Sequence, residues 1–361
     1  QSFVDQMEGF ALELEDELMN FSDVSYKSFV KSESEIITLF YDKFADIPLL
    51  SRMDAVAETF IDEIETLLNR DLPEEERIPL IEKFRKMYET MDFYVLYNRF
   101  LKKEGYQTLP RRPLEKRKLR YEDVYPVLYL KYRLSRQAER SNIKHLVIDE
   151  MQDYSRLQYL IIRRMFSCKM TILGDRAQTM ADQQQDVLQF LPGIFGKDLR
   201  RIEMRKSYRN TVEIASYAAN LIGVTDLELF ERHGIPVVER DVTDLEAALR
   251  EAVDTLFPDE KTYETAAVIV PDAKTAERAY LILREILAEK DFDCGKRLSW
   301  LNRDSSSFKK GLTVTTFYLA KGLEFDQVFS IFPKDEKREI MMQAQYIAAT
   351  RALHELRVYH I

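Results

Sequence analysis

Cysteine is scarce in this chain: Cys168 and Cys294 stand in unrelated surroundings with no shared spacing. That excludes a disulfide scaffold and fits a reduced compartment, the cytoplasm. With only 4 histidines beside them, no zinc-type cluster can be assembled. Long apolar runs are also missing. ETAAVIVP (264–271) has the length of a strand and falls far short of the roughly 20 residues that cross a bilayer, so no membrane role is expected. The opening residues do not read as a secretory leader, and none is expected. An excess of positive charge is absent as well. The net charge of −9 excludes a uniformly basic nucleic-acid coat, though not a locally basic channel. Glycine is thin before residue 149, where Gly9 and Gly105 stand alone and neither leads into Gly-Lys-Ser or Gly-Lys-Thr. A phosphate cradle of the form G-x-x-x-x-G-K-[ST] therefore has no place in that stretch.

What is present is an ordinary globular composition, 45% apolar and 32% charged over 361 residues, enough for two or three domains. Residues 1–137 read almost entirely as helix. QSFVDQMEGFALELEDELMNF, MDAVAETFIDEIETLLN and IPLIEKFRKMYETMDFYVLYNRFLKK space their apolar residues at three and four, with charges opposite. Proline-containing breaks at LNRDLPEEER and QTLPRRPLEKRK divide them. The first seventy residues are rich in Asp and Glu, whereas PRRPLEKRKLR (110–120) is basic. A solvated helix face and a surface loop account for both without further function.

From residue 143 strands alternate with helices, which predicts a parallel α/β sheet. Strands are expected at 144–150, 169–175, 201–208, 266–271, 311–318, 326–332 and 355–361, with helices at 211–223, 243–257 and 273–290. The strand HLVIDE delivers Asp149 and Glu150 to a carboxyl edge, where α/β proteins place ligands. An Asp there can hold magnesium through water and a Glu can polarise an attacking water. Asp153, a few residues on, reads equally well as the acidic cap of a helix at 154–166. KMTILGDRAQ ends in a turn where Asp175 can cap the next segment and Gln178 offers an uncharged amide. SYRNT puts Tyr208 and Arg209 before a helix capped by Asn210 or Thr211, and such an Arg can grip a phosphate bidentately. Lys321-Gly322-Leu323-Glu324 joins two strands, and a helix carrying Thr350 and Arg351 precedes the last strand. Each of these alone has a structural explanation.

Taken in order, DEMQD, GDRAQ, SYRN, AKGLEF and ATRA resemble motifs II to VI of the superfamily 1A helicases, the UvrD/Rep/PcrA group, over residues 143–361. The resemblance implies RecA-like P-loop NTPase domains with parallel sheets, preceded by an all-α domain. Its segments are a helical arm or insertion at 1–137, a partial first RecA-like domain at 138–198 and a second at 199–361. It implies ATP and Mg2+ as cofactors. Asp149 becomes the magnesium-water ligand, Glu150 the catalytic base and Gln178 the γ-phosphate sensor. Tyr208 stacks adenine, Glu324 contacts ribose beside Lys321 and Gly322, and Arg209 and Arg351 stabilise the transferred phosphoryl group.

Departures from the pattern sharpen the resemblance. The phosphate loop of these helicases precedes the DE strand, and this sequence opens on Gln1, so a fragment whose loop lies upstream, inactive by itself as an ATPase, is expected. The stretch between Arg209 and Thr313 leaves no room for the large subdomain that UvrD-type enzymes insert there. TMADQQQD, after GDRAQ, lacks the base-stacking aromatics of the group, and Tyr318 stands where its motif V carries His. These features resemble the HelD, or helicase IV-like, branch of Gram-positive bacteria, which implies RNA polymerase core as partner, engaged through an acidic helical arm at 1–137. A UvrD/Rep-type translocase on single-stranded DNA in repair is the other reading, with 1–137 a subdomain that props the first NTPase half. A non-catalytic α/β scaffold is the third, and it leaves Glu150, Arg209 and Arg351 unexplained.

Overall fold

The computed structural model describes the chain except residues 1, 138–141, 176–177, 179–185, 205, 225–227, 257–262, 291–296, 304, 306–309 and 335–338. Cys294, Arg176 and Ala177 of motif III, and residues 179–185 after it thus lie outside the described residues. Two compact units result: residues 1–173 with 187–199, and residues 174–186 with 200–361.

The first unit is mainly helical, with α1 (Phe3–Glu17), α2 (Glu33–Thr38), α3 (Arg52–Leu68), α4 (Glu74–Arg85), α5 (Phe93–Lys103) and α6 (Tyr121–Leu134). Two departures from the all-helix expectation have local causes. Residues 24–31 form a hairpin, β1 (Val24–Tyr26) with β2 (Phe29–Lys31), turning at Lys27 in a left-handed conformation. Ser, Asp and Val around Asp23 compete with helix formation there. The helix expected to run through IPLIEKFRKMYETMDF ends at Arg85, because Tyr88 makes an antiparallel bridge to Met19. Asp92 then caps α5 by accepting from the N–H of Tyr94 at 2.9 Å.

Phe10, Phe40, Met53, Phe60, Phe84, Phe100 and Tyr129 anchor one apolar core in this unit, and it continues onto Leu157 and Ile161 of α7 (Arg156–Met165). The helical segment therefore shares its core with the α/β part of the unit. That part holds two parallel strands, β3 (His145–Ile148) and β4 (Lys169–Ile172), with α8 (Val187–Phe195) after them. Ile148, Tyr159, Val187, Phe190 and Leu191 make its small second core. Ser155, rather than Asp153, caps α7, in a capping box with Gln158.

In the second unit, β5 (Lys206–Ser207), α9 (Val212–Leu221) and β6 (Glu228–Leu229) precede the main sheet. Of the strand expected at 201–208, Lys206 and Ser207 alone among the described residues pair, with β6. The sheet is built from β7 (Val238–Asp241), β8 (Thr265–Val270), β9 (Leu298–Trp300), β10 (Gly311–Thr316), β11 (Phe325–Phe332) and β12 (Ala352–His360). Between them run α10 (Leu245–Asp254), α11 (Ala273–Ala288) and α12 (Glu339–Thr350). The order is β7-β12-β11-β8-β10-β9, and every pairing is parallel. The fold is α/β with a parallel sheet, as the alternation predicts.

Both faces of this sheet are covered, which is what a parallel sheet requires. Leu249, Leu283 and Ile286 pack on Val268, Phe329 and Ile331 from one side. Ile214, Ala344 and Ala348 pack on Ile269, Val328 and Leu356 from the other. Burying each such aliphatic or aromatic side chain contributes about 1.5–3 kcal/mol. Gly311 opens β10 at φ 119°, where a Cβ would stand 2.2 Å from the carbonyl oxygen of Arg297, so only glycine fits.

Candidate active site

The tip of β3 is a bent acidic turn. Leu173 donates to the carbonyl of Ile148 at 2.8 Å, and Met151 donates to that of Leu173 at 2.8 Å, which pins the exit of the strand. Asp149 is exposed, and its Oδ1 accepts from the Glu150 N–H at 2.8 Å. Glu150 sits in the left-handed region (φ 52°, ψ 51°), an unfavourable place for a residue with a Cβ, costing on the order of 1 kcal/mol. Two bonds hold the turn in this state. Buried Gln152 donates from Nε2 to Glu150 Oε2 at 2.5 Å, and the Tyr159 hydroxyl donates to the Met151 carbonyl at 3.0 Å. The result is two adjacent carboxylates, one open to solvent and one aimed by a buried amide. Among the described residues no group of three His, Cys, Asp or Glu could hold a metal. A hard divalent ion at Asp149 would take the rest of its oxygen shell from phosphate and water, which is how magnesium is usually held.

The second unit gathers its own set at the amino ends of β11 and β12, opposite to the carboxyl-edge rule that suits β3. Arg351 directly follows α12 and is only 2% exposed. Its guanidinium donates to Gln178 Oε1 at 3.2 Å, Thr350 Oγ1 at 3.1 Å and the Ile347 carbonyl at 3.2 Å. Gln178, 8% exposed, donates in turn to Asp175 Oδ2 at 3.0 Å, and the Tyr346 hydroxyl donates to the same oxygen at 3.0 Å. Burial first, and the charge of Asp175 second, push the Tyr346 phenol well above its ordinary range, so it stays a donor. Asp175 is thus an acceptor within this chain of bonds, and most of the segment it is expected to cap lies outside the described residues.

Beside it, Arg209 pairs with Glu324 at 2.8 Å, both half-exposed. Buried Asn210 donates to the carbonyls of Ala352 at 2.6 Å and Thr350 at 3.3 Å, tying the entry of α9 to the start of β12. Thr211 is the cap of α9. The Arg351 carbonyl accepts from the Phe325 N–H at 2.9 Å, joining β11 to the same corner. Arg232 supports it from behind, donating to the carbonyls of Arg209 and Leu353 at 3.0 and 3.1 Å.

Tyr208 is 61% exposed, its ring 5.4 Å from that of Phe230 with the Lys206 ammonium 5.5 Å from its centroid. Lys321 and Gly322 lie in the turn between β10 and β11, where Gly322 takes φ 76°. The fold thus brings Gln178 to Arg351 and Arg209 to Glu324, and sets Asp149 beside Glu150 in the other unit. Tyr346, Arg232 and the strut role of Asn210 have no signature in the sequence, since the partners of Asn210 lie 140 and 142 residues away.

The family model of the UvrD/REP helicase N-terminal domain matches residues 10–180. That match supports a helicase of superfamily 1. No curated protein matches the chain. Among solved structures, the C-terminal domain of a possible DNA helicase from Lactobacillus plantarum WCFS1 is 24% identical. The alignment covers 43% of this chain and 88% of that one, with a TM-score of 0.34. A structure of the PRRSV helicase is 15% identical over 74% of this chain and 45% of that one, with a TM-score of 0.35. Another, PRRSV nsp10 (helicase), is 16% identical over 60% and 36%, with a TM-score of 0.22. These TM-scores are too low to bear on the fold, and the chain spans less than half the length of either viral structure. No helix of the described residues is long and apolar enough to cross a membrane.

Proposed function

We propose that this chain is part of an ATP-dependent superfamily 1 helicase-type ATPase, of the HelD-like kind that acts on RNA polymerase. The observation that carries the ATPase reading is the 3.2 Å hydrogen bond between Gln178 and Arg351, two residues nominated from motifs 173 residues apart. An amide hydrogen-bonded to a buried arginine can pass the state of a bound phosphate to the start of β12. In this reading ATP with Mg2+ supplies the phosphoryl group, and the protein supplies the groups around it. Asp149 would help to hold the ion, and Glu150 would take the proton of the attacking water. Arg209 and Arg351 neutralise charge on the phosphoryl oxygens, Tyr208 stacks the base, and Glu324 leaves Arg209 to meet the ribose beside Lys321 and Gly322. The residues present suit such a ligand: hard oxygen donors for the ion, guanidinium groups for the phosphates and an exposed ring for the base.

Titration calorimetry with ATP and ADP in the presence of Mg2+ tests this. The wild-type chain should prefer ATP, and Arg351→Lys should lose the preference by about tenfold, the effect of roughly 1.4 kcal/mol from one charge-assisted hydrogen bond. A wild-type chain with no preference, or a lysine variant that keeps it, rejects the assignment. Steady phosphate release should not exceed that of a Glu150→Gln control.

The polymerase part is supported by the exposed carboxylates of the helical segment, among them Glu17, Asp62, Glu74 and Glu75. An immobilised chain should retain RNA polymerase core subunits from nuclease-treated bacterial lysate, and changing these four residues to Gln should abolish retention. One observation favours the alternative, a translocase on single-stranded DNA. The core of residues 1–137 runs onto α7, as in a subdomain seated on an NTPase half rather than a free arm. If polymerase is not retained, that reading stands.

A further inference from the structure

Tyr346 lies on α12 one helical turn before Thr350, and its half-buried ring packs against the core that holds Ile214, Ala344 and Ala348. Packing asks only for the ring, so the hydroxyl needs its own explanation. It donates to Asp175 Oδ2 at 3.0 Å, across 171 residues of sequence. The same oxygen accepts from Gln178 Nε2 at 3.0 Å, and Gln178 Oε1 accepts from the Arg351 guanidinium at 3.2 Å. All four residues belong to the second unit.

The two charged ends of this chain of bonds fix the amide between them. An ionised carboxylate only accepts and a guanidinium only donates, so Gln178 turns its nitrogen to Asp175 and its oxygen to Arg351. That order lasts only while Asp175 stays on the Gln178 side. A carboxylate released from there is drawn to a guanidinium, because a charge-assisted pair outweighs a bond to a neutral amide. The Tyr346 hydroxyl opposes that turn by occupying Oδ2 from the helix side. Burial first, and the Asp175 charge second, hold the phenol protonated, while the positive charges of Arg351 and Arg209 work the other way. The net shift is upward, so the hydroxyl remains a donor at neutral pH.

We propose that Tyr346 is a positioning residue whose hydroxyl holds Asp175 on Gln178, and so keeps the Gln178 oxygen on Arg351 to sense the terminal phosphate of a nucleoside triphosphate. This role rests on the reading of Gln178 and Arg351 as a phosphate-sensing pair. Tyr346 itself touches neither the phosphate nor the attacking water in it. Its effect therefore falls on the discrimination between a triphosphate and a diphosphate, and the contacts that both nucleotides share are left intact.

The experiment is titration calorimetry of the full chain with ATP and with ADP in Mg2+, for the wild type, Tyr346→Phe, Asp175→Ala and the double variant. Tyr346→Phe should lower the ratio of ATP to ADP affinity about fivefold, the effect of one hydrogen bond, and leave ADP affinity unchanged. In the Asp175→Ala background the same change should lower the ratio no further, because the hydroxyl acts only through that carboxylate. Titrations well below the melting range of every variant keep a loss of folding from imitating the effect. A Tyr346→Phe variant that keeps the wild-type ratio overturns the proposal and leaves the ATPase reading standing. So do ATP and ADP affinities that fall together, the mark of a tyrosine that only packs, and so does a further loss in the double variant. A wild type with no preference for ATP rejects the ATPase reading and this role with it.

Discussion

The six-stranded parallel sheet and the two-stranded parallel sheet of β3 and β4 differ in what surrounds them. In β8 five of six residues are buried and in β10 all six are, whereas β3 buries only Ile148 and β4 buries none. Val147 in β3 is 60% exposed, and Leu173 just after β4 is also exposed. Parallel ladders are less stable per residue than antiparallel ones and survive when helices cover both faces. Four helices supply that cover in the second unit. In the first unit β3 and β4 have α7 and α8 on their small core, and most of the apolar burial sits in the helices before them. The acidic turn thus stands on a lightly supported sheet, while Arg209, Glu324 and Arg351 stand on a heavily supported one.

The largest expected effect that tests this contrast is a pair of truncations. Phe329→Ala in β11 should cost about 3–5 kcal/mol, and Val147→Ala in β3 less than about 1 kcal/mol, each read by urea unfolding. Similar costs at both positions would mean that the exposed face of β3 is covered in solution, and the contrast would be lost. Next in size is Asn210→Leu, which removes the donors to Thr350 and Ala352. We expect a loss of about 1–3 kcal/mol, because the buried carbonyl of Ala352 loses a short bond. An unchanged unfolding midpoint would show that the strut does not hold α9 to β12.

The smallest effect is electrostatic. Glu213, in the first turn of α9, accepts from its own backbone N–H, from His233 and from the N–H of Gly234, and is held down to about 2. A carboxylate depressed in the folded state stabilises at pH values above its unfolded value and loses that contribution as pH falls toward the folded one. The melting temperature of the wild type should therefore exceed that of Glu213→Gln at pH 7, and the gap should close between about pH 4.5 and 2. A gap that persists at the acid end would assign the difference to packing.

Much of the second unit was readable from the residues. Runs such as TAAVIV and FDQVFSIF read as strands covered on both sides, and the spacing of Leu249 and Val253 or of Leu283 and Leu287 suits an amphipathic helix. Harder to read were β7, β9 and the hairpin at 24–31. They are short, and the first two take their pairing from distant segments: His360 selects Asp241, and Val314 selects Trp300. At the candidate site the residue types were legible and their partners were not. Tyr208 reads from sequence as a core residue or a stacking ring, and at 61% exposure it is not a core residue.

Local chemistry by itself determined most of the alternation of strands and helices after residue 143, the two carboxylates at the end of β3 and the helix cap at Thr211, because each depends on neighbours within a few residues. Only the tertiary structure decided that Gln178 meets Arg351, that Glu324 neutralises Arg209 and that Asn210 ties α9 to β12. Hydrogen bonds act over about 3 Å, and no local rule brings together residues more than a hundred positions apart until the sheet has set its register.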